Sequence, residues 1–207
     1  MRRSTATAVF LAGLVLTGPL AAQRRGEDPD WPCQQRLVPT VAANIVWSGP
    51  PLDGVGDWRD DERVAALVQR IAPRRVSAEE GEAAIAAFAD AIGTDEGRAR
   101  LLTLAFAGLL DETNRERAAL IARLKDLGRR QRELADIASR AAEELGALPA
   151  DATGEQAAQR ADLEQRFAFV TRAFEGGRQT IRYACDAPVQ LEARLGRYAR
   201  ALQSRLS

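Results

Sequence analysis

Two heptad-patterned stretches of equal length, 95–146 and 154–205, are separated by one short break with the sequence GALPADATGE. Helices of matched length joined by so short a break fold back on one another, so the C-terminal half reads as a long antiparallel helical hairpin. In the first stretch Leu110, Leu124, Gln131, Ala138 and Leu145 share one heptad position, and Phe106, Leu120, Leu127, Leu134 and Ala141 the other. In the second, Leu163, Val170, Gly177, Ala184, Leu191 and Tyr198 share one, and Phe167, Phe174, Ile181, Leu195 and Leu202 the other. A symmetric fold-back sets Leu134 beside Phe167, Leu127 beside Phe174, Leu124 beside Gly177, Leu120 beside Ile181 and Leu110 beside Leu191. Arg117 falls on the seam, near Asp186.

The run ARLLTLAFAGLL at 99–110 is apolar on nearly every side, more than one partner helix can cover. Two shorter helices upstream are the natural cover. Asp57 caps a helix over 58–72, where Val64, Leu67, Val68 and Ile71 form one stripe before Pro73. Ser77 and Glu80 make a capping box for a second helix, which buries Ala84, Ile85, Phe88 and Ile92 and ends at Gly93. The fold class expected is therefore all-α: a small four-helix base (57–112 with 186–207) and a projecting antiparallel coiled-coil hairpin (113–185). About 30 residues of free arm would project about 45 Å. Pro188 should kink or break the second arm just after Cys185.

At the other end, Arg2 and Arg3 precede an apolar run from Ala8 to Leu16 and then small residues to Ala22, the order of a secretory signal over 1–22. No later segment approaches the roughly 20 apolar residues of a transmembrane helix, so no integral membrane segment is expected after signal removal. Residues 23–56 are rich in Pro and Gly and read as an extended N-terminal arm. Trp31, Val38, Val41, Ile45, Val46 and Trp47 are apolar enough to lie on the helical body, with a short helix over 38–46. In an oxidising compartment the only two cysteines, Cys33 and Cys185, form one bridge. The expected location is the periplasm.

Absent residue types narrow the chemistry. The chain has no His, and its one Met is Met1. His-based acid–base catalysis, Ser-His and Cys-His nucleophile pairs, His zinc sites and haem attachment are excluded, and no Gly-rich phosphate loop occurs. No catalytic residue, metal ligand or cofactor site is assigned. Without Arg2 and Arg3, 27 basic residues face 29 acidic ones, which argues against a nucleic-acid partner.

Several clusters invite two readings. Asp57, Asp60, Asp61 and Glu62 have the chemistry to ligate calcium or magnesium, or to form the negative first turn of a helix. Arg74-Arg75 and Arg129-Arg130 suit anionic partners or solvent. Trp31 and Trp47 read as anchors for the arm rather than binding aromatics. Gly176-Gly177 permits close helix approach, and Leu145 and Leu148 are the apolar residues at the hairpin tip.

The segments DWPCQQRLVP at 30–39 and VWSGPP at 46–51 resemble the start of uncharacterised exported proteobacterial proteins. The resemblance covers about 20 residues; it implies export and transfers no functional residue. The function expected is a periplasmic helical scaffold or adaptor that binds an envelope protein, or itself, through the hairpin. The alternatives are an Asp/Glu-based metal-binding protein or enzyme, and a chaperone-like holder of envelope proteins.

Overall fold

The computed structural model describes residues 28–93 and 97–206. The secretory signal expected at 1–22 and the first residues of the expected arm lie outside them. The described chain is all-helical: α1 (Ala43–Val46), a 3-10 turn (Trp58–Asp60), α2 (Glu62–Ile71), α3 (Ala78–Ala91), α4 (Gly97–Ala147), α5 (Glu155–Ala184) and α6 (Asp186–Gln203). Among these residues no helix is long and apolar enough to cross a membrane.

The core is built where the sequence is apolar all round. Leu101, Leu102, Leu104, Ala105, Phe106 and Leu109 of α4 are buried together with Val64, Val68 and Ile71 of α2, Ile85 and Ala89 of α3, and Leu195, Tyr198, Ala199 and Leu202 of α6. Four helices thus share one core, each contributing a single stripe except α4, which they surround. Each side chain of this kind contributes about 1.5–3 kcal/mol when taken out of water. Local signals set the helix starts. The Ser77 hydroxyl accepts the Glu80 N–H while Glu80 accepts the Ser77 N–H, completing the capping box.

α2 starts later than the 58–72 expected for it. Asp57 caps only the 3-10 turn, and Asp61 caps α2 by accepting from Arg63 and Val64. Trp58 supplies the reason: its ring is buried against Gly108 of α4, and its indole N–H donates to Asp111 at 3.2 Å. An α-helical start at 58 would have to carry that ring elsewhere. Tyr198, among the largest fully buried side chains, sits against Gly81, where any Cβ would collide with the ring.

The second arm breaks where Pro188 requires. As the third residue of α6, Pro188 has no N–H to offer the carbonyl of Ala184, and α5 ends there. The hairpin itself is antiparallel, but its register differs by one heptad from the symmetric one. Gly177 faces Gln131 rather than Leu124, and Leu124 packs with Ile181 and Cys185. In the symmetric register Gln131 would oppose Val170 with its amide unpaired. In the observed one, glycine leaves room for the Gln131 amide to donate to the Phe174 carbonyl at 2.6 Å.

The arm is mostly irregular. Only 43–46 of the expected helix forms. Trp47 is buried and stacks on Phe106 with ring centroids 4.3 Å apart, and Val41 is buried. Ile45 and Val38 do not join the body: Ile45 is 75% exposed and Val38 45%. One turn of helix cannot point every apolar residue inward.

Candidate functional site

The feature that a simple bundle would lack is the way the arm straps the hairpin. From Trp47 in the base it runs up beside α4. Asn114 on α4 holds both backbone groups of Val41, accepting its N–H at 2.8 Å and donating to its carbonyl at 3.1 Å. Arg117, only 5% exposed, donates to the carbonyls of Val38 at 2.8 Å and Pro188 at 3.3 Å and pairs with Glu192. The seam position therefore carries a buried Arg, satisfied by three groups from two segments, the arm and α6, and its acidic partner is Glu192 instead of Asp186.

Above Arg117, Cys33 is bonded to Cys185, and Trp31, Cys33 and Leu127 pack on the cluster of Leu124, Ile181 and Cys185. The Gln35 side chain donates to the Cys185 carbonyl, and the Trp31 indole to the Gln35 carbonyl at 2.7 Å. Farther still, the backbone of Asp30 crosses α4 directly over Gly128, the only residue type that leaves it room. The arm then ends in an ion-pair cluster: Asp28 with Lys125 at 2.7 Å, and Asp30 with Arg129 at 2.8 Å and with Arg132. The Lys125 ammonium holds Asp28 below the ordinary carboxylate value, and Arg129 and Arg132 do the same for Asp30. The cause is a hydrogen bond to the charged form in each case.

This strap shortens the free hairpin. It reaches Arg132, which the register of Gln131 with Gly177 sets opposite Gly176, so only residues 133–175 extend beyond it as two bare helices and a turn, about 15 residues or 22 Å on the α4 side. The 45 Å expected from sequence took no account of the arm.

The outward side of α5 is different in character. Leu163, Val170 and Ile181 are buried toward α4. Phe169 and Tyr183 point away and are 67% and 68% exposed. Gly176 lies midway between them at heptad spacing, with open space beside it. A shallow depression of about 640 Å³ around Phe169 is lined by Asp162, Gln165, Arg166, Ala168 and Arg172. Arg166, Arg172, Arg178 and Arg182 are exposed and make no ion pair among the described residues; Arg166 and Arg172 border Phe169, while Arg178 and Arg182 lie on the opposite flank beside residues 32–35 of the arm. No sequence argument singled out Phe169 or Tyr183. The available signal was that both fall outside the heptad seam.

The remaining candidates are placed as follows. In the acidic cluster Asp57 and Asp61 serve as caps and accept from Arg59 and Arg63, and among the described residues no group of three or more His, Cys, Asp or Glu is placed to hold a metal ion. Arg74 lies 3.6 Å from Glu116, and Arg129 is part of the strap cluster. Leu145 and Leu148 are half-buried at the tip. Every buried side-chain polar atom among the described residues has a hydrogen-bond partner, so none is left aimed at a ligand. The chain matches no family model, no curated protein and no solved structure.

Proposed function

We propose that the chain is an exported helical scaffold or adaptor whose hairpin is its working surface, docking a periplasmic or envelope protein or a second copy of the chain. The observation that supports this reading best is the outward face of α5, which presents two exposed aromatic rings, Phe169 and Tyr183, with the unpaired Arg166 and Arg172 beside Phe169. Aromatic and Arg side chains are the types that carry binding energy at protein interfaces. A solvated helix face has no need of Phe169 and Tyr183.

Export and a periplasmic location belong to the same proposal. They rest on the leader-like order of residues 1–22 and on the Cys33–Cys185 bridge, which is favoured in an oxidising compartment. The strap supports the reading mechanically. A bridge, a buried Arg and an ion-pair cluster fix the lower hairpin to the core, so a load or partner taken up by α5 is held at a defined orientation.

Replacing residues 133–175, the two facing arms beyond the strap, by a short loop tests the assignment. Crosslinking in intact cells should then recover the truncated chain without the partners captured by the full one, while its helical signal per residue and its disulfide are retained. Crosslinked partners unchanged by the deletion, and unchanged again in F169A/Y183A, would remove the hairpin from consideration.

A further inference from the structure

Each arm of the hairpin carries one pair of cations spaced by a single helical turn. On α4 they are Lys125 and Arg129, on α5 Arg178 and Arg182, and no other basic residues of these two helices are spaced by four. Like charges at that spacing repel and weaken a helix. On α4 the arm relieves the repulsion: Asp28 pairs with Lys125 at 2.7 Å, Asp30 pairs with Arg129 at 2.8 Å, and Arg132 adds a second cation to Asp30. Two carboxylates two residues apart are thus held by two cations four residues apart. On α5 the pair is unmatched. The guanidinium groups of Arg178 and Arg182 are exposed and make no ion pair or hydrogen bond among the described residues, the neighbouring acids Glu175 and Asp186 included.

The α5 pair borders a cleft. About 580 Å³ of space lies between residues 32–35 of the arm and Arg178, Ile181 and Arg182 of α5, with Gln131 and Asp186 also on its walls. Gln34, on the arm side, is exposed and makes no hydrogen bond among the described residues. Donors therefore stand on both sides, two guanidinium groups on α5 and a side-chain amide on the arm.

We infer that this cleft is the docking site for an acidic segment of a partner protein, one with two carboxylates two residues apart, which Arg178 and Arg182 take as Lys125 and Arg129 take Asp28 and Asp30. In an extended segment such carboxylates leave the same face about 7 Å apart, against about 6 Å of rise between the two arginines. Each guanidinium offers a planar fork to one carboxylate, and the Gln34 amide is placed to meet the backbone of the segment. A cleft of that size suits a segment of several residues more than a bare inorganic anion. The site stands apart from the free arms and from Phe169, because Arg178 and Arg182 remain in the chain when 133–175 are removed and lie on the opposite flank of α5.

Titration of the nitrogen-15-labelled, disulfide-bonded chain with the unlabelled peptide GGEGEGG tests the inference. The contacts are exposed ion pairs, so the dissociation constant should be about 0.1–1 mM at 20 mM salt and at least fivefold weaker at 200 mM. The side-chain amide of Gln34 and the Nε–H signals of Arg178 and Arg182 should shift together, and the neutral peptide GGQGQGG should shift none of them. R178A/R182A should weaken binding at least tenfold with an unchanged helical signal. R70A/R123A, which removes two exposed arginines that do not line the cleft, should bind within twofold of the unsubstituted chain. Equal losses in the two variants reduce the attraction to net charge and overturn the inference, and so does the absence of shifts at about 5 mM peptide. Shifts confined to residues 125–132 would mean that the peptide competes with Asp28 and Asp30 for α4, and they overturn it too. Inorganic phosphate that displaces the peptide and reproduces its shifts assigns the cleft to a free anion and likewise overturns it. The scaffold reading fails separately, through unchanged crosslinks after hairpin deletion.

Discussion

Removing the bridge with C33A/C185A should cost a large part of the stability of this chain. The two cysteines are separated by 152 residues, so the bonded chain unfolds into a ring that spans most of its length. The chain-entropy relation gives about 17 cal/mol/K for a loop of that size, or about 5 kcal/mol at 25 °C, against a typical total of about 5–15 kcal/mol. Burial adds a smaller amount, because Cys185 packs on Leu124 and Ile181 and its sulfur is lost. Compactness retained by the unfolded ring works the other way, which makes about 3–5 kcal/mol the expected loss. Urea unfolding followed by the helical signal at 222 nm measures it directly. Because the effect sits in the unfolded chain, the spectrum of the folded variant should be unchanged and the dependence of stability on urea should steepen. A loss below 1 kcal/mol with an unchanged slope would refute the reasoning, and a weakened helical signal before unfolding would show that the bridge acts on the folded state instead.

Gly81→Ala should destabilise the base by about 1–3 kcal/mol through overpacking, since the new methyl group collides with the Tyr198 ring, and Tyr198→Leu in the same chain should recover part of the loss in a thermal melt. Asn114→Leu leaves the N–H and carbonyl of buried Val41 without their partner, so about 1–3 kcal/mol should be lost and limited proteolysis should cut the arm sooner. Stability should be nearly flat from about pH 6 to 9, because the chain has no His and both cysteines are bonded. It should fall in acid. Asp28, Asp30 and Asp61 are held below the ordinary 3.8, and Glu79 and Glu82 below 4.5, each chiefly by a hydrogen bond from Lys125, Arg129, Arg63 or Arg197. A carboxyl depressed in the folded state binds protons more readily when unfolded, so its contribution is complete above about pH 4.5 and is lost as pH drops through the folded value. At the other end burial raises Tyr198 above 10.0, and its contribution, complete below pH 10, is lost as pH rises further. A urea midpoint that rises between pH 5 and 3 would contradict the carboxylate assignment.

Helix type and order were legible because they rest on local chemistry. The capping box at Ser77, the stripe Val64–Leu67–Val68–Ile71, and the all-round apolarity of 99–110 each call for a particular neighbour, and each found it. The bridge followed from counting to two. The start of α2 was less legible, since Asp57 and Asp61 are equally good caps and only the seat of Trp58 on Gly108 selects between them. The candidate surface was the least legible part. Phe169 and Tyr183 stand out only once the buried side of α5 is known.

The sequence by itself determined the set of helices, their caps, the fold-back and the absence of any His-based chemistry, because these depend on residues a few positions apart or on composition alone. Tertiary structure decided the register of the hairpin, the partners of Arg117, the height to which the arm climbs and which face of α5 is left open. Those are contests between alternatives that local preference scores alike. They are settled by whether a buried amide such as that of Gln131 finds a carbonyl, and by whether a backbone such as that of Asp30 finds a glycine to cross.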